Sequence, residues 1–382
     1  MIKNIILDKA DRLYHLPFDL EDFYPKLTLK TGEKKIKTID LSHFSWNIKS
    51  NTSDFKSPFD LSDSSDLEIL KEAIAEWFKS AYDISVNPRK EIYVGQGING
   101  IICDICVGYI EYGDIALCPE PGLPFYKRLT VLAGGVPVTY PIYSKIDFKP
   151  SLGRLDTNLG KAAKILFLNN PNNPIGFNHD ETEIEELIHI ASKKNIFIVN
   201  DAAYASHAEG KFVPIRSIPG GSKVSLEAFS IPFTFGLPYI PLGFAVGPID
   251  IINTLKNIRK TTKLTLPKIW INETIQAINN FPNSNLTEIQ KQISQSRLAA
   301  EKFSDKMEWD VIGGKSAPFM WVRIPDRKQS MSYSTALLRR KKILTLPGTA
   351  FGETGDGYLR ISLTVPPDDF KTAGERMEQK SV

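Results

Sequence analysis

Lys164-Ile-Leu-Phe-Leu-Asn-Asn-Pro-Asn-Asn-Pro-Ile-Gly176 is the stretch that decides the fold of this chain of 382 residues. Its first half is a continuous apolar run, which is typical of a strand covered by helices on both faces. Its second half contains two prolines and a glycine, residues that favour a rigid turn. Open α/β sheets bind their ligands at the carboxyl ends of their strands. The stretch therefore predicts a buried parallel strand and the position of a ligand site.

Short apolar runs of the same kind recur along the chain and alternate with helical segments. The candidate strands are residues 91–94, 115–118, 136–140, 164–169, 196–201, 224–229 and 242–246. The segment Glu181–Lys194 supplies a clear crossover helix. This alternation predicts an α/β fold, a three-layer large domain whose seven candidate strands form a mostly parallel sheet.

The chain is long enough for two domains. Residues 1–60 are polar and irregular and are predicted to form an N-terminal arm. We assign the large domain to residues 61–265, where the capping box Ser65-Asp-Leu-Glu68 is predicted to start the first helix. A long amphipathic segment and two further strand candidates come later and predict a smaller α+β domain over residues 266–382.

Composition narrows the class of partner and the compartment. Lys and Arg number 47 and Asp and Glu 44, a net charge of +3, which indicates neither a nucleic-acid nor a membrane partner. The apolar run at the start is too short for a signal peptide, so a cytoplasmic protein is expected. Three cysteines, Cys103, Cys106 and Cys118, are expected to be buried thiols, and they make neither a disulfide framework nor a zinc site. No metal is expected.

Polar side chains follow two of the buried strands. Asn173 lies in the turn after the first strand, where its amide can donate to a ligand oxygen, and Asp201 ends the next strand, three residues before Tyr204. A carboxylate there can hold a cationic ring nitrogen, although an Asp at a strand end often only caps a helix. The combination of the three side chains favours a ligand site.

A third stretch, Ser230-Ile-Pro-Phe-Thr-Phe-Gly-Leu-Pro-Tyr-Ile-Pro-Leu-Gly243, completes a set of motifs that resembles the fold-type I aminotransferases of class I and II. The resemblance covers about residues 39–364. It implies a cofactor, pyridoxal phosphate (PLP), whose phenolic oxygen would contact Asn173 and Tyr204 and whose ring nitrogen would contact Asp201. It also implies a seven-stranded sheet, a small domain built from both termini, including part of residues 1–60, and a homodimer.

The third stretch departs from the family pattern at the positions that hold the cofactor. Phe233 stands where the family has the Schiff-base lysine, Pro232 replaces a common serine and Pro241 replaces the arginine that binds the phosphate. Ser230 is kept, and no gap is needed to align the rest of the motif. The resemblance therefore implies a divergent member that lacks the lysine.

Two other cofactor contacts are altered. The glycine-rich loop around Gly97 opens a helix, so its backbone N–H groups can still hold an anion, but Ile98 stands where relatives often have a polar side chain. Leu123 takes the place of the aromatic residue that stacks on the PLP ring. We count these residues, with those of the third stretch, as a degenerate cofactor site.

The substrate side of the pattern is retained. In Gly357-Tyr-Leu-Arg-Ile-Ser362 the resemblance makes Arg360 the residue that binds the substrate carboxylate, and a planar guanidinium suits that task. Near the N-terminus, His43 and Trp46 occupy the place of a substrate loop. We predict Arg360, Asn173 and Trp46 as substrate-binding residues, and Asp201, Tyr204 and His43 as the catalytic acids or bases.

Three functions follow from this mixture, and the sequence leaves all three open. Each charge-assisted hydrogen bond to a phosphate is worth roughly 1.5–3 kcal/mol, so losing several weakens PLP binding by about 10³-fold. The first expectation is therefore a cofactor-independent enzyme of specialised biosynthesis, unable to form the usual internal aldimine, that acts on an amino-acid-like carboxylate substrate without any cofactor. The alternatives are an enzyme that binds PLP or its amine form (PMP) noncovalently, and a non-catalytic binding or regulatory subunit.

Overall fold

The computed structural model describes most of the chain. The described residues are residue 16 and residues 37–43, 61–142, 162–262, 265–325 and 329–378. The strands are β1 Ile39–Asp40, β2 Ile92–Gly95, β3 Ile115–Glu120, β4 Val136–Pro141, β5 Ala163–Asn169, β6 Phe197–Asp201, β7 Ser225–Ser230, β8 Gly243–Val246, β9 Asp310–Ile312, β10 Phe319–Arg323, β11 Ile343–Leu344, β12 Leu346–Pro347 and β13 Tyr358–Ser362.

The α-helices alternate with the first eight strands and then dominate the last third of the chain. They are α1 Ser64–Tyr82, α2 Pro88–Glu91, α3 Gly97–Tyr109, α4 Phe125–Leu132, α5 Glu181–Lys194, α6 Gly221–Val224, α7 Ile231–Phe235, α8 Ile249–Thr262, α9 Lys268–Asn279, α10 Ser284–Lys306, α11 Ser330–Lys341 and α12 Pro367–Glu378. The crossover helix predicted at Glu181–Lys194 has those bounds in the structure.

A seven-stranded sheet is the centre of the large domain. Its strand order is β2-β8-β7-β6-β5-β3-β4. Strands β3 to β7 run parallel, and β8 is antiparallel to both of its neighbours. All seven candidate strands are present, with ends shifted by at most two residues. The prediction of an α/β fold with a mostly parallel sheet is confirmed.

Helices cover both faces of this sheet, which explains why its central strands are buried and mostly apolar. On one face α1 and α9 bury a cluster that includes Trp77, Phe229 and Phe244. On the other face α3 buries Ile101 and Ile105 against β3, β5 and β6. Burying apolar area stabilises a fold by about 25 cal/mol per Å², so a sheet covered on both faces has the larger gain. The site residues at its strand ends are held by this packed core.

The first helix begins earlier than the capping box in the sequence predicts. Asp63 is the N-cap of α1, and its Oδ1 accepts hydrogen bonds from the backbone N–H groups of Ser65 at 2.7 Å and Asp66 at 3.0 Å. The backbone N–H of Asp63 in turn donates to Oδ2 of Asp66 at 3.0 Å. The prediction of Ser65 and Glu68 as the capping pair is wrong because a carboxylate two residues upstream is available for the same N–H groups.

A second, smaller sheet lies in the last third of the chain. Its order is β12-β13-β10-β9, all antiparallel, with Trp321 of β10 opposite Arg360 of β13. Helices α10 and α12 pack on it, and β1 pairs with β11, which brings residues from the N-terminal region to this part of the molecule. The domain boundaries at residues 60/61 and 265/266 stay predictions.

Two further findings, on membrane-spanning helices and on metal sites, apply to the described residues alone. None of the helices found there carries an apolar stretch of the length that a bilayer crossing requires. Nor does any group of three or more His, Cys, Asp or Glu side chains in that part of the chain have the arrangement of a metal site. Cys106 and Cys118 are buried, Cys103 is half-buried, and all three are free thiols.

Candidate active site

The turn after β5 is fixed by its own side chains. Asn169 ends the strand, and its Oδ1 accepts a hydrogen bond at 2.7 Å from the backbone N–H of Asn173. Its Nδ2 donates at 2.9 Å to the carbonyl oxygen of Asp201, which ends the neighbouring strand β6. Both contacts are buried, so they are protected from competition with water. The two strand ends that the sequence singles out are therefore linked to each other directly.

Asp201 is a fully buried carboxylate with neutral partners. Its Oδ2 accepts a hydrogen bond from the hydroxyl of Tyr126 at 2.7 Å, and its Oδ1 accepts one from the N–H of Ala203 at 3.0 Å. Burial raises the pKa of Asp201 to about 6, although both hydrogen bonds act in the opposite direction. A cation beside this carboxylate would stabilise its charged form.

Asn173 joins Tyr204 to Arg360. Its Nδ2 donates to the hydroxyl oxygen of Tyr204 at 3.0 Å, and its Oδ1 accepts from Nη1 of Arg360 at 3.2 Å. Burial raises the pKa of Tyr204, and the nearby guanidinium of Arg360 opposes that rise. The three side chains lie far apart in sequence, and their contact places an amide, a phenol and a guanidinium in one buried cluster.

Arg360 is buried between two aromatic rings and a backbone carbonyl. Its guanidinium carbon lies 5.4 Å from the ring centre of Phe319 and 5.2 Å from that of Phe351. Its Nη2 donates to the carbonyl oxygen of Ser42 at 3.1 Å. Rings at these distances attract the cation and fix its plane. A guanidinium held in this way suits the recognition of a carboxylate.

Phe233 lies in the short helix α7, directly after β7, and faces the same cluster. Its ring meets the ring of Tyr204 edge to face, with 4.9 Å between the ring centres. Its carbonyl oxygen accepts a hydrogen bond at 3.2 Å from Nε2 of His207, and burial lowers the pKa of that histidine to about 4. The residue at the position predicted for the lysine thus contributes an apolar ring.

Backbone groups from three segments of the chain meet around Gly243, at the start of β8. Gly243 pairs with both Gly95 and Ser230 across the sheet. A Cβ on Gly243 would lie 3.0 Å from the carbonyl carbon of Gly97, so a larger residue does not fit. Gly97 begins α3 and has φ +64°, and Pro241 has its carbonyl near it. The start of α3, Ser230 and Pro241 are therefore adjacent.

The remaining predicted site residues differ in how deeply they are buried. Ile98, the second residue of α3, is buried in the core, and Leu123 is half-buried between two core clusters. Pro232 is half-buried in the first turn of α7. His43 is exposed, and its Nδ1 lies 2.9 Å from Oδ2 of Asp40. Trp46 lies outside the described residues.

Sequence reasoning missed the support given by Tyr126, Ser42 and the two phenylalanines. Tyr126 is two residues into α4, and a tyrosine at the start of a helix carries no signal for a contact with Asp201, 75 residues away. The contact of Ser42 with Arg360 uses a backbone carbonyl, which any residue would supply. These partners are set by the tertiary structure.

With the geometry established, comparison with known proteins gives the family. The model of the family "Aminotransferase class I and II" matches residues 47–377. The chain belongs to this family. The matched range covers most of the chain, so the resemblance drawn from the motifs is confirmed.

Two relatives of known name align with 82% and 98% of this chain. The LL-diaminopimelate aminotransferase of Halothermothrix orenii is 32% identical over 82% of this chain and 80% of its own length. That of Syntrophobacter fumaroxidans is 27% identical over 98% of this chain and 99% of its own length. A solved aminotransferase structure from Staphylococcus aureus has a TM-score of 0.84, 22% identity, and coverage of 97% and 98% of the two chains. The last of these shows the shared fold.

Two expectations from the sequence are wrong. The cofactor-independent enzyme and the absence of a cofactor both conflict with relatives that carry the name of an aminotransferase over four fifths or more of their length. Both expectations gave more weight to the lost contacts with the cofactor phosphate than to the retained contacts with the cofactor ring and the substrate carboxylate. The relatives support an aminotransferase-like enzyme of biosynthesis and give no support to a departure from ordinary transamination.

The residues in the described part of the chain fit PLP at its ring. Asp201 is a buried carboxylate whose hydrogen-bond partners are a phenol and a backbone N–H, a donor set that leaves its charge without a cation. A protonated ring nitrogen supplies such a cation. Asn173 and Tyr204 provide an amide and a hydroxyl for an oxygen on the ring. At residue 233 the side chain has no amine, so the fit does not include a covalent bond there.

Proposed function

We propose that this chain is an aminotransferase that binds PLP without a covalent bond to residue 233 and transfers the amino group of an amino-acid substrate. The observation that carries the proposal is the buried cluster of Asp201, Asn173, Tyr204 and Arg360, which combines the groups for a pyridine ring with the group for a carboxylate. When bound, PLP supplies a protonated ring that accepts electrons from the substrate carbon.

The ring contacts support the proposal through their charges. Asp201 would pair with the ring nitrogen, and the gain from this pairing would offset the cost that burial places on its carboxylate. Asn173 and Tyr204 would orient the ring through its phenolic oxygen. Their own hydrogen bond, 3.0 Å long, already holds both side chains in place. Prearranged polar groups of this kind lose little freedom when a ligand binds.

The carboxylate end supports an amino-acid substrate. Arg360 is fixed by Phe319, Phe351 and the carbonyl of Ser42, so its guanidinium is oriented before a substrate binds and loses little further side-chain entropy. The named relatives are LL-diaminopimelate aminotransferases, which makes LL-diaminopimelate the first substrate to test. His43, which is exposed beside Asp40, and Trp46 remain proposals for the outer part of this site.

The phosphate end must depend on backbone groups. Gly97 begins α3, whose first N–H groups have no partner inside the helix, and Ser230 lies beside them with a buried side chain. Pro241 supplies no positive charge, so we expect weaker binding than in a site with an arginine. We also keep the homodimer, the cytoplasmic location and the two-domain division as proposals. The family resemblance supports the homodimer and the two-domain division.

Added cofactor tests the proposal directly. We expect the purified protein to take up PLP, detected by dialysis and absorbance, and then to transfer the amino group of LL-diaminopimelate to one of a panel of 2-oxo acids. Asp201→Asn removes the charge that would meet the ring nitrogen and should weaken PLP binding by about tenfold or more. Asp104→Asn is the matched control, because Asp104 also accepts a hydrogen bond from a tyrosine, Tyr93, at 2.6 Å but lies on α3.

Two results would contradict the proposal. One is a protein that takes up neither PLP nor PMP at millimolar concentration. The other is uptake that Asp201→Asn and Asp104→Asn weaken to the same degree, because that result would place the cofactor somewhere other than beside Asp201.

A further inference from the structure

The loop that carries Phe351 packs against the end of β3, a strand of the large sheet. The backbone N–H of Gly122, two residues after β3, donates to the carbonyl oxygen of Phe351 at 2.9 Å. The ring of Phe351 is buried and belongs to the same hydrophobic cluster as Leu117 of β3. One of the two rings that flank Arg360 is therefore placed by a strand that lies outside the smaller sheet.

Gly352, the residue after Phe351, leaves room for the side chain of Glu120, which ends β3. Gly352 has φ +117° and ψ 170°, a backbone conformation that is found almost only at glycine. A Cβ on Gly352 would lie 2.5 Å from both Cγ and Cδ of Glu120. The carboxyl group of Glu120 therefore occupies the space that a larger residue 352 would need, and it limits how far this loop can move.

Lys127 of α4 fixes the side chain of Glu120 in this position. Its Nζ donates to Oε2 of Glu120 at 2.6 Å, and the two side chains are only 22% and 13% exposed. An ion pair with so little exposure is screened less than a surface pair. Tyr126, the preceding residue of α4, donates to Asp201. Helix α4 therefore supports both the acid of the candidate site and the loop of Phe351.

We propose that Glu120 and Lys127 are positioning residues of the substrate-carboxylate site, which hold the ring of Phe351 5.2 Å from the guanidinium carbon of Arg360. The proposal rests on the proposed role of Arg360 in binding the substrate carboxylate, and neither positioning residue touches the substrate. A shifted ring would no longer fix the plane of the guanidinium. Small displacements of a binding group are costly, because a planar guanidinium binds a carboxylate in one orientation.

Binding of pimelate tests the proposal separately from turnover, because this dicarboxylate has the carbon chain of diaminopimelate without its amino groups. Calorimetric titration measures its affinity for the full chain, with PLP and without it. Glu120→Ala leaves the loop beside Gly352 without its neighbour, so we expect pimelate to bind about five- to tenfold more weakly. The affinity for PLP should stay within about twofold of wild type, because none of the ring contacts includes Glu120. KM for LL-diaminopimelate should rise while kcat changes little.

Three further variants separate positioning from a general effect on the fold. Glu120→Gln keeps the shape of the side chain and an acceptor for Lys127, so its affinity for pimelate should return to within about twofold of wild type. Lys127→Met removes the charge without opening a space beside the loop. It should weaken pimelate binding about threefold, and it keeps the test valid if Glu120→Ala does not fold. Asp114→Ala is the matched control, because Asp114 pairs with Lys164 at 2.7 Å but lies at the opposite end of β3, and it should leave the affinity unchanged.

Three results would overturn the proposal. The first is equal affinity for pimelate in the wild type, Glu120→Ala and Lys127→Met. The second is an equal loss of PLP and pimelate affinity in Glu120→Ala, because that pattern indicates a general loss of structure. The third is a folded wild type that binds no pimelate with or without PLP, since Glu120 would then have no carboxylate site to position. A wild type that binds pimelate but no PLP would contradict the proposed function alone, and the ratios between the variants would still decide this proposal.

Discussion

Two neighbouring regions of the candidate active site differ sharply in chemistry. The first, which we call the strand-end cluster, consists of Tyr126, Asn173, Asp201, Tyr204 and Arg360. Its members are buried and form two hydrogen-bonded groups, Tyr126 with Asp201 and Asn173 with Tyr204 and Arg360. The second, which we call the apolar turn, consists of residues 230–243, where phenylalanine and proline occupy the positions of a lysine and an arginine. The difference shows that the ring and carboxylate contacts of a cofactor site can persist while the covalent and phosphate contacts change.

The two regions also respond to burial in opposite ways. The strand-end cluster keeps an acid with a raised pKa, while His207, which contacts the carbonyl of Phe233 in the apolar turn, has a lowered pKa. Both shifts come from loss of water around a charge. Each pKa shift can therefore be measured separately for its own region. Five predictions follow from the comparison, from the largest expected effect to the smallest.

Removing the guanidinium should disable the strand-end cluster. Arg360→Ala leaves the side-chain oxygen of Asn173 without its donor and removes the cation between Phe319 and Phe351. We expect kcat/KM for LL-diaminopimelate to fall by about 10³-fold, because two charge-assisted hydrogen bonds to the substrate are lost. Steady-state kinetics measure this. Arg323→Ala removes an exposed arginine that pairs with Asp310 and should change kcat/KM little. Similar losses for both variants would remove Arg360 from the substrate site.

The opposite pKa shifts give opposite pH dependences without added cofactor. The pKa of Asp201 rises from 3.8 to about 6 on folding, so the native state binds the proton more tightly and its stabilising contribution is lost as pH rises. The free energy of unfolding of Asp201→Asn, relative to wild type, should therefore rise by about 3 kcal/mol between about pH 4 and pH 6. Urea unfolding at each pH measures the difference.

His207, which contacts the apolar turn, should show the reverse sign. Its pKa falls from 6.5 to about 4 on folding, so its contribution is present at neutral pH and lost as pH falls. Relative to wild type, His207→Gln should become less stable as pH rises through the same interval. A stability difference that does not change with pH for either variant would mean that the corresponding group is not titrating in a buried environment.

Placing an amine at residue 233 should give the apolar turn the covalent contact to the cofactor that the family pattern has there. Phe233→Lys places an amine beside Tyr204, and we expect PLP to bind about tenfold more tightly, through a bond that borohydride reduction makes permanent and mass spectrometry locates at residue 233. Phe233→Leu removes the same ring without adding an amine, and it should gain no affinity. If borohydride modified another residue in Phe233→Lys, the alignment of residue 233 with the family lysine would be wrong.

The smallest effect is expected at the outer end of the apolar turn. The hydroxyl of Tyr239 donates to Oε2 of Glu273 at 2.6 Å on the exposed side of the turn. Tyr239→Phe should lower the free energy of unfolding by about 0.5–1 kcal/mol and leave PLP affinity unchanged. Urea unfolding and cofactor titration measure the two quantities. A fall in PLP affinity would show that this end of the turn belongs to the cofactor site.

Much of the fold could be predicted because its signals are local. Continuous apolar runs mark strands that helices cover on both faces, and all seven such runs became strands of one sheet. Asn173 and Asp201 could be placed together because parallel strands end at the same edge. The start of α1 was misplaced, since two overlapping capping patterns compete within the six residues 63–68 and sequence alone does not rank them.

The support of the site could not be predicted because it uses groups that carry no pattern. Tyr126 reaches Asp201 across 75 residues, and the carbonyl of Ser42 reaches Arg360 across 318. The error about the cofactor had a different cause. Substitutions can be counted in a sequence, whereas the binding free energy that the retained contacts supply depends on their distances and burial.

By itself, the sequence determined the sheet, the family and the identity of the side chains at the strand ends, because hydrophobic periodicity and motif spacing are properties of neighbouring residues. Only the tertiary structure decided that Asn173 joins Tyr204 to Arg360 and that Asp201 has neutral partners. The physical reason is that pKa shifts and hydrogen-bond satisfaction depend on which distant segments exclude water together. That exclusion exists only in the packed molecule.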